Sequence, residues 1–414
     1  MAVRGVAALL GGAAVSMVWS ATAVAAPRPM ATWQTNGAVR AIRVSNGVIY
    51  LGGDFTGLRP PGAAPGTHTI ARGHGAAIDA RTGRLLRWNP RVNGRVSTIA
   101  IFDRRIYLGG VFTTVGGRPR RNLAAVGRRQ GHVKPWNPGT DGGVNVIKIG
   151  RSGGVYVGGE FGRVGGEPRH RLAKLSPTGA LKSWAPSVSQ VSGATCPPRC
   201  RAKVLTLAFS PRGRALYIGG HFGKVDGVAR NEAAKISLTH PKQVLAFNPN
   251  IYANANCPAC TTIETHRVYT IIPTSDRVYT CGGYWQVNTN RRSFNVSAFD
   301  PHSGQLLSGL TEQDDGDTPG CTLRGGVLYV GGHFNVAGPD CQPNHTSTCS
   351  TRHHVAAFDT RHNELLSWNP AANSPHGVFV VTHSRRLVAF GGFFTRFGGH
   401  AQQGIAVYRR SNLP

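Results

Sequence analysis

One short motif recurs seven times along this chain of 414 residues, and it constrains the fold more than any other feature. Each copy has a hydrophobic residue, usually Tyr, a second hydrophobic residue, two glycines, a variable residue and an aromatic residue, as from Tyr50 to Phe55. The fifth copy, from Tyr279 to Trp285, is one residue longer. The first glycines lie at 52, 109, 158, 219, 282, 331 and 391, at intervals of 49 to 63 residues. Such self-similarity indicates a repeated supersecondary unit.

Each repeat predicts four short β-strands. In the second repeat, apolar first and second strands are expected from Val96 to Phe102 and from Ile106 to Phe112, joined by a tight turn. A third strand, Leu123 to Val126, and a fourth, His132 to Trp136, follow at further turns. Apolar runs bounded by Gly and Asn predict hairpins, and no segment of more than about 12 residues has helical periodicity. Four strands per repeat are typical of a β-propeller blade.

The two ends of the chain complement each other. The last repeat ends with its third strand, Ile405 to Tyr408, and the segment from Pro29 to Trp33 resembles the fourth strand from Ala180 to Trp184. We therefore expect an all-β fold, a single seven-bladed β-propeller of four-stranded blades, closed by the N-terminal strand that completes the last blade. An open solenoid is the alternative, but it would need polar caps, whereas closure removes the sheet edges. The expected blades are 34–88, 89–136, 137–184, 185–247, 248–309, 310–368, and 369–408 with 28–33.

The N-terminus has the pattern of an export signal. Arg4 precedes an apolar run that ends near Ala23, and Ala23-Val24-Ala25 fits a cleavage site for signal peptidase. Residues 1–25 are therefore predicted to be a signal peptide and residues 26–414 the propeller. A retained membrane anchor is the alternative, although no later stretch approaches the ~18 apolar residues of a spanning helix. The prediction is a secreted, extracellular protein, in a cell-wall-associated form or free, with no transmembrane anchor after cleavage.

The repeats resemble a known family. The Tyr-x-Gly-Gly-x-Phe segment, followed by Gly-Gly, Arg, Ala and a triplet such as Trp88-Asn89-Pro90, is similar to the delta-60-type repeats of secreted actinobacterial β-propellers. It also resembles the repeats of fungal Rax-type cell-polarity markers. The resemblance covers residues 28–408. It implies a propeller fold and an extracytoplasmic location, and it implies no established activity.

Eight cysteines follow the predicted signal, and an even count in an exported chain predicts disulfides. They are Cys196, Cys200, Cys257, Cys260, Cys281, Cys321, Cys341 and Cys349. The expected pairs join successive cysteines in this order, with the alternative that Cys281 pairs with Cys257 or Cys260. Zinc is a second alternative at Cys257 and Cys260, because C-x-x-C has ligand spacing, but a second C-x-x-C and a nearby His pair are missing.

The long connections are predicted to emerge on one face. They lie between the second and third strands of a blade or between blades, and seven of the eight cysteines lie in them or at their edges. Loops on a rigid scaffold often carry function, so this face is the predicted binding face. Neutral variation in loop length, with disulfides that only stabilise the loops, is the alternative. The long loops are 56–71, 187–203, 249–266, 310–320 and 335–352.

One acidic cluster stands out in a basic chain, from Glu312 to Asp317. Loops rich in carboxylate oxygens suit calcium, so Asp314, Asp315 and Asp317 are candidate calcium ligands. The cluster lacks EF-hand spacing, and a solvated acidic turn or an Arg partner is the alternative. We expect no other cofactor.

The variable position of the motif holds His221 and His333, with Asp54, Glu160 and Tyr284 as the expected counterparts. A metal site at the rim of the ring is one interpretation, and ordinary packed or exposed side chains are the other.

No catalytic residue is predicted. Gly150 to Gly154 matches G-x-S-x-G, but that nucleophile motif requires a strand-to-helix turn, and here a β-turn is expected.

The charge points to anionic partners. The chain has 47 Lys and Arg against 18 Asp and Glu, a formal net charge of +29, which falls to +28 without Arg4. Because Arg is rarely buried without a partner, most of this charge should face solvent and favour an anionic cell-wall polymer, an acidic glycan or an envelope protein. Compositional bias is the alternative, and an exported protein without a nucleic-acid motif should not bind nucleic acid.

The leading functional hypothesis is a monomeric binding or adhesion module of the cell envelope that uses the loop-rich, disulfide-linked face. The alternative is a secreted enzyme on the same face, either a kelch- or quinoprotein-like oxidoreductase or a glycan-active enzyme. A convergent set of titratable residues or a cofactor at the mouth of the central channel would favour the enzyme.

Overall fold

A computed structural model of the chain describes residues 28–190, 201–240, 242–251, 266–284, 286–288, 291–292, 295–314, 316–338 and 349–414. Within these ranges the chain forms β-strands and turns, with a 3-10 helix, Arg410–Asn412, after the last strand. No helix in these ranges is long and apolar enough to cross a membrane. The predicted signal peptide lies outside the described residues. The predicted all-β class is confirmed.

Seven antiparallel sheets, numbered 1 to 7 along the described chain, form the body of the fold, and the second strand of each lies between its first and third strands. The first strands are Val39–Ser45, Arg95–Phe102, Val144–Ile149, Lys203–Phe209, Arg267–Pro273, Gly320–Arg324 and Val378–His383. The second strands are Val48–Gly53, Arg105–Val111, Val155–Gly159, Ala215–His221, Val278–Gly283, Val327–Gly331 and Leu387–Gly392. The third strands are Gly75–Asp79, Leu123–Gly127, Leu172–Leu175, Ala233–Ser237, Val296–Phe299, Val355–Asp359 and Ile405–Arg409.

Each sheet packs face to face on the next. The first strands contact one another in chain order, and the first strand of sheet 7 also contacts that of sheet 1. Buried apolar side chains fill each interface; Tyr50 and Ile99, for example, belong to one cluster between sheets 1 and 2. A cluster of the same kind joins Ile42 of sheet 1 to Leu387 and Ile405 of sheet 7. The alternating apolar residues of the strands thus form the contacts between neighbouring sheets.

The paired glycines of the motif allow two close approaches. A Cβ atom on Gly109 would lie 2.7 Å from Cγ1 of Val144, on the first strand of sheet 3. A Cβ atom on Gly110 would overlap the carbonyl oxygen of Arg95, on the first strand of its own sheet. The same two contacts recur at most of the repeats, and Gly391 of sheet 7 meets Val39 of sheet 1 in this way. The first glycine therefore makes room for the next sheet, and the second makes room for a backbone carbonyl.

The fifth copy of the motif has a different register from the predicted one. Gly282 pairs with Val268 as Gly220 pairs with Val204, so Cys281 occupies the position of the first glycine. The backbone carbonyl of Tyr284 accepts a hydrogen bond from the N–H of Asn295, as the carbonyl of the aromatic residue does in the other repeats. The Tyr284 side chain is fully buried. Placing Tyr284 at the variable position was therefore wrong. It is the aromatic residue of its copy, and Gly283 is the variable residue.

A disulfide joins Cys281 to Cys321, with Cα atoms 6.4 Å apart. Cys321 lies on the first strand of sheet 6, so the bridge links sheets 5 and 6 at a place where other repeats have a glycine against an aliphatic side chain. The expected pairing of Cys281 with Cys321 is thus confirmed, in place of the alternative with Cys257 or Cys260. Cys349 is also disulfide-bonded. Cys196, Cys200, Cys257, Cys260 and Cys341 lie outside the described residues, and so do their predicted pairings.

The fourth strand is shorter than predicted. Sheets 5 and 6 have one, Leu306–Asp314 and Glu364–Leu365, whereas the segment expected from His132 to Trp136 forms a single bridge, Val126 to Val133. Sheets 1, 3 and 4 have similar single bridges. The Trp ring that follows this bridge packs inward; Trp88 is buried and lies edge-on to Tyr50 at 5.2 Å.

Arginine side chains complete the short fourth segments. The guanidinium of Arg230 donates to the carbonyl oxygens of Ala229 and Leu245, at 2.7 and 2.9 Å. Leu245 lies two residues before the aromatic residue of its triplet, Phe247. The same pair of hydrogen bonds is made by Arg72, Arg120, Arg169 and Arg352. Part of the arginine excess therefore satisfies backbone carbonyls that a longer strand would have paired.

The N-terminal segment lies along sheet 7. The N–H of Met30 donates to the carbonyl of Val407 at 2.7 Å, and the N–H of Thr35 donates to that of Gln403 at 3.3 Å. Gln402 occupies the position of the structural arginines, and its Nε2 donates to Oγ1 of Thr32 at 2.6 Å. This side chain reaches the N-terminal segment as the arginines reach their fourth segments.

Short hairpins lie between second and third strands, and the one that contains Val336–Gly338 also pairs with Leu306–Asp314. They are Gly57–Arg59 with Ile70–Ala71, Thr114–Val115 with Arg118–Pro119, Arg163–Val164 with Glu167–Pro168, Lys224–Val225 with Val228–Ala229, Gln286–Val287 with Arg291–Arg292, Val336–Gly338 with Ser350–Thr351, and Arg396–Phe397 with His400–Ala401. Single strands that precede a sheet extend three of them: Gln34–Thr35, Val188–Ser189 and Ala372–Asn373.

Candidate functional site

A β-bulge interrupts the first strand of six sheets, each time at the equivalent position of the repeat. In sheet 1 the pairing shifts between Val39 and Ala41, which leaves Arg40 as the extra residue. A bulge re-aims a side chain and often borders a binding site. The residues bulged in this way are Arg40, Ser97, Asn145, Leu205, Tyr269 and Phe379. Pro319 precedes the first strand of sheet 6 at the equivalent place.

All seven of these residues line one cavity of about 960 Å³. Its other walls come from residues that begin the first strands, such as Arg95, Lys203 and Arg267, and from variable residues of the motif. Because those positions lie at the strand ends that carry the long connections, the cavity opens on the loop-bearing face. The variable residues in its wall are Asp54, Glu160, His333 and Phe393.

These bulges were not predicted from the sequence, although the strands carry a signal for them. In four of the six affected strands, a buried Val and a variable residue are followed by two consecutive buried residues, as in Val39, Ala41 and Ile42. In the strands that contain Tyr269 and Phe379, the first of those two residues is half-buried. Strict alternation would have placed one of the last two on the opposite side of the sheet. Two adjacent core residues inside an alternating strand therefore indicate the bulge.

Charged side chains alternate around the cavity. Arg40 Nε lies 2.5 Å from Asp54 Oδ2, and Lys203 Nζ lies 4.0 Å from Glu160 Oε1. Arg95 is exposed and forms no ion pair with a described residue. The mouth of the cavity can therefore offer hydrogen-bond donors and acceptors on several sides to a polar ligand.

A second polar group lies at sheets 5 and 6. Tyr269, Asp317 and Arg267 lie together in the cavity wall and interact electrostatically. Burial raises the pKa of Asp317, and interactions with His333, Tyr269 and Arg267 oppose that shift. Burial also raises the pKa of Tyr269. Asp317 is thus more easily protonated than an exposed carboxyl, and it faces the cavity.

The side formed by sheet 7 is aromatic. Phe393 is 46% exposed, and its ring lies 5.5 Å from that of His376. Cζ of Arg40 lies 4.8 Å from the ring centre of Phe379, a cation–π contact that spans sheets 7 and 1. An exposed aromatic ring beside ionic groups provides a flat apolar surface within a polar cavity.

Comparisons with known proteins agree on the architecture. A family model described as "Domain of unknown function (DUF5122) beta-propeller" matches residues 152–181. The WD40 β-propeller domain of Doa1 is 10% identical, with a TM-score of 0.51 over 94% of this chain and 99% of that one. The computationally designed Ika8 protein is 11% identical, with a TM-score of 0.51 over 92% of this chain and 99% of that one. This chain has a β-propeller fold. The search of curated proteins finds no match to its sequence.

The propeller separates the two motif histidines. His221 is buried, with Nδ1 3.3 Å from Glu232 Oε1 and 3.0 Å from the carbonyl oxygen of His266. His333 is exposed in the cavity wall and stacks on His354 at 6.1 Å. Within the described part of the chain, no three His, Cys, Asp or Glu residues are grouped so that they could hold a metal ion.

The His221–Glu232 pair lies behind the cavity. Burial raises the pKa of Glu232 to about 7, against the opposing effect of His221. Burial, and then electrostatic interactions with His221 and Arg267, lower the pKa of His266 to about 4. The pair adjoins Lys203 and Arg267 of the cavity wall through the first strands of sheets 4 and 5.

Two of the three predicted calcium ligands, Asp314 and Asp317, lie within the described residues. Asp314 ends the strand Leu306–Asp314 and is opposite Ala337. Asp315 lies outside the described residues. Asp317 belongs to the cavity wall, as Tyr269 does. The predicted turn with Gly150 to Gly154 joins the first and second strands of sheet 3.

Proposed function

We propose that the seven sheets are the blades of one closed ring in a secreted protein. The packing of sheet 7 on sheet 1 and the hydrogen bond from Met30 to Val407 support closure by the N-terminal segment. The signal-like residues 1–25 and the cysteine content support export. A calcium ion at Asp314, Asp315 and Asp317 stays a prediction.

We further propose that this propeller is a binding module of the cell envelope, and that its ligand enters the cavity on the loop-bearing face. The observation that carries the proposal is the composition of the cavity wall. Four cationic side chains, three carboxylates and an exposed aromatic surface converge there from different sheets. The central cavity of a rigid ring is a common place for such a ligand site.

An acidic saccharide is the ligand class that fits this wall best. Sugar rings pack with their apolar faces on aromatic side chains, as Phe393 and Phe379 would allow, and their hydroxyls pair with carboxylates such as Asp54 and Glu160. Arg95 has no acidic partner among the described residues and could receive the carboxylate of an acidic sugar. The large positive charge of the chain would increase the local concentration of such a polymer.

The test is calorimetric binding of uronate-containing oligosaccharides and of neutral ones with the same linkage. Phe393→Ala and Arg95→Ser should each weaken binding of the acidic series about tenfold or more, because each removes a group that faces the ligand. Val111→Ala is the matched control, since Val111 occupies the same motif position in sheet 2 but lies outside the cavity wall. Equal losses in Val111→Ala and Phe393→Ala would contradict the proposal.

A second candidate is a glycan-active enzyme in the same cavity. The specific observation is Asp317, which lines the cavity together with Tyr269 and whose raised pKa suits a general acid. Release of reducing ends from a bound oligosaccharide, abolished by Asp317→Asn, would favour it. Binding without turnover over long incubation would favour the binding module.

A further inference from the structure

The face opposite the cavity has a basic patch, defined by Arg81, Arg324, His383, Arg385, Arg386, Arg409 and Arg410. These residues line two cavities of about 670 and 810 Å³ that meet at Ser384 and Arg385. No Asp or Glu side chain lines either cavity, and none of the six arginines is ion-paired with a described residue. The turn from Ser384 to Arg386 joins the first and second strands of sheet 7.

Backbone carbonyls hold two of these arginines in place. Arg324 donates from Nε to the carbonyl of Ser384 at 3.3 Å and from Nη2 to that of Arg385 at 3.1 Å. Arg409 donates from Nη2 to the carbonyl of Arg81 at 2.6 Å. Their remaining N–H groups, and the exposed guanidinium groups of Arg385 and Arg386, are not used in ion pairs with described residues. The turn is fixed as well, because the N–H of Arg410 donates to the carbonyl of Arg386 at 2.9 Å.

The positive potential of the patch acts on its own histidine. His383 contacts Oγ1 of Thr322 through Nδ1 at 2.6 Å. Its pKa is lowered by burial and then by the charges of Arg324 and Arg43, and no acidic group raises it. An anion that settled in the patch would offset these charges and favour the imidazolium.

We propose that the basic patch is a binding site for phosphate groups. The planar guanidinium fork matches the oxygens of a phosphate, and several arginines around one cavity can neutralise its charge together. The ligand class is a phosphate mono- or diester, either in a soluble polymer or in a lipid headgroup. This site lies on the other face from the cavity and does not depend on the saccharide proposal.

The first experiment follows the ring protons of His383 by NMR while inorganic phosphate replaces chloride at constant ionic strength. The pKa of His383 should rise as phosphate saturates the site. Arg385→Ser with Arg386→Ser should weaken phosphate binding at least about tenfold, since it removes both exposed guanidinium groups of the turn. Arg104→Ser is the matched control: Arg104 lies in the equivalent turn of sheet 2 but beside Asp103, and its loss should leave binding within about twofold.

The second experiment separates the two phosphate sources. Vesicles of phosphatidylglycerol and phosphatidylcholine, mixed in equal parts, are sedimented with the full chain and the same variants. Sedimentation that requires Arg385 and Arg386 identifies a lipid headgroup, and a response to inorganic phosphate without sedimentation identifies a soluble phosphate ester. An unchanged His383 pKa in saturating phosphate, or an equal loss in Arg104→Ser, overturns the proposal. Phe393→Ala should bind phosphate normally, so failure of the cavity proposal can be recognised separately.

Discussion

Replacing Gly110 with Ala tests the physical role of the second motif glycine. The new Cβ atom would overlap the carbonyl oxygen of Arg95 and lie 3.0 Å from its carbonyl carbon. That carbonyl belongs to the bulged first strand, so the strand itself has to move rather than a flexible side chain. Overpacking of this kind costs about 1 to 3 kcal/mol.

The displacement also weakens a backbone pair. The N–H of Gly110 donates to the carbonyl of Asn122 at 3.1 Å, and Gly110 is opposite Val96 in the sheet. Losing one such hydrogen bond costs about 0.5 to 1.5 kcal/mol. Gly110→Ala should therefore lower the free energy of unfolding by about 2 to 4 kcal/mol. Because Arg95 and Ser97 belong to the bulge, saccharide binding should weaken too.

Gly127→Ala is the matched control in the same sheet. A Cβ atom there would lie 3.6 Å from the Lys134 side chain, an ordinary contact. Its stability should stay within about 1 kcal/mol of the wild type, or rise slightly because Ala restricts the unfolded chain. Urea unfolding followed by tryptophan fluorescence gives both values, and hydrogen exchange should show the loss concentrated in the strands of sheet 2. Equal midpoints for Gly110→Ala and Gly127→Ala would refute this explanation of the motif.

Three further predictions concern other contacts. Arg230→Met should lower the unfolding free energy by about 1 to 3 kcal/mol, because two charge-assisted hydrogen bonds to carbonyls are lost, whereas the exposed control Arg214→Met should change it by less than about 0.5 kcal/mol in the same urea assay. Glu232→Gln should remove a pH dependence of the unfolding free energy. Because burial raises the pKa of Glu232 from 4.5 to about 7 in the folded state, its contribution to stability is fully present below pH 4.5 and is lost as the pH rises through about 7. In urea titrations, the stability of the wild type relative to the variant should therefore fall across that interval. Replacing Cys281 and Cys321 together with Ser should cost up to about 4 kcal/mol, as expected for opening a loop with a sequence separation of 40; thermal midpoints equal to those of the oxidised wild type would contradict it.

The sequence predicted the strands better than it predicted their edges. Gly-Gly pairs and apolar alternation were sufficient for the first three strands of the sheets, because both reflect packing inside a repeated unit. The fourth strand from His132 to Trp136 was overestimated, since propensity does not show that Arg120 supplies hydrogen bonds to the carbonyls there. The register of the fifth motif was also misjudged, because Gly282-Gly283 looks like the usual pair although Cys281 takes the first position.

The candidate site was harder to predict, and the reason is geometric. Residues such as Arg40, Tyr269 and Asp317 are far apart in sequence and unremarkable where they occur. They meet because the first strands of the sheets contact one another, so that equivalent positions of these strands line one cavity. The acidic cluster was predicted to bind calcium from its local composition. Asp317 is the one of its predicted ligands whose side chain is described, and it interacts with Tyr269 and Arg267 of sheet 5. Local motifs cannot show a partnership of that kind.

Within each repeat, the positions that hold the sheets together differ from the positions that line the cavity, so the same scaffold can carry different binding sites. The Gly-Gly pair, the Val of the first strand and the buried aromatic residue hold the sheets together, and a change at any of them disturbs two neighbouring sheets. The bulged residues and four of the variable residues line the cavity instead. Their side chains differ from sheet to sheet, from Asp54 to Phe393, without loss of the repeat. Substitutions at these two positions should therefore alter binding with little effect on stability, whereas substitutions of the glycines should alter both.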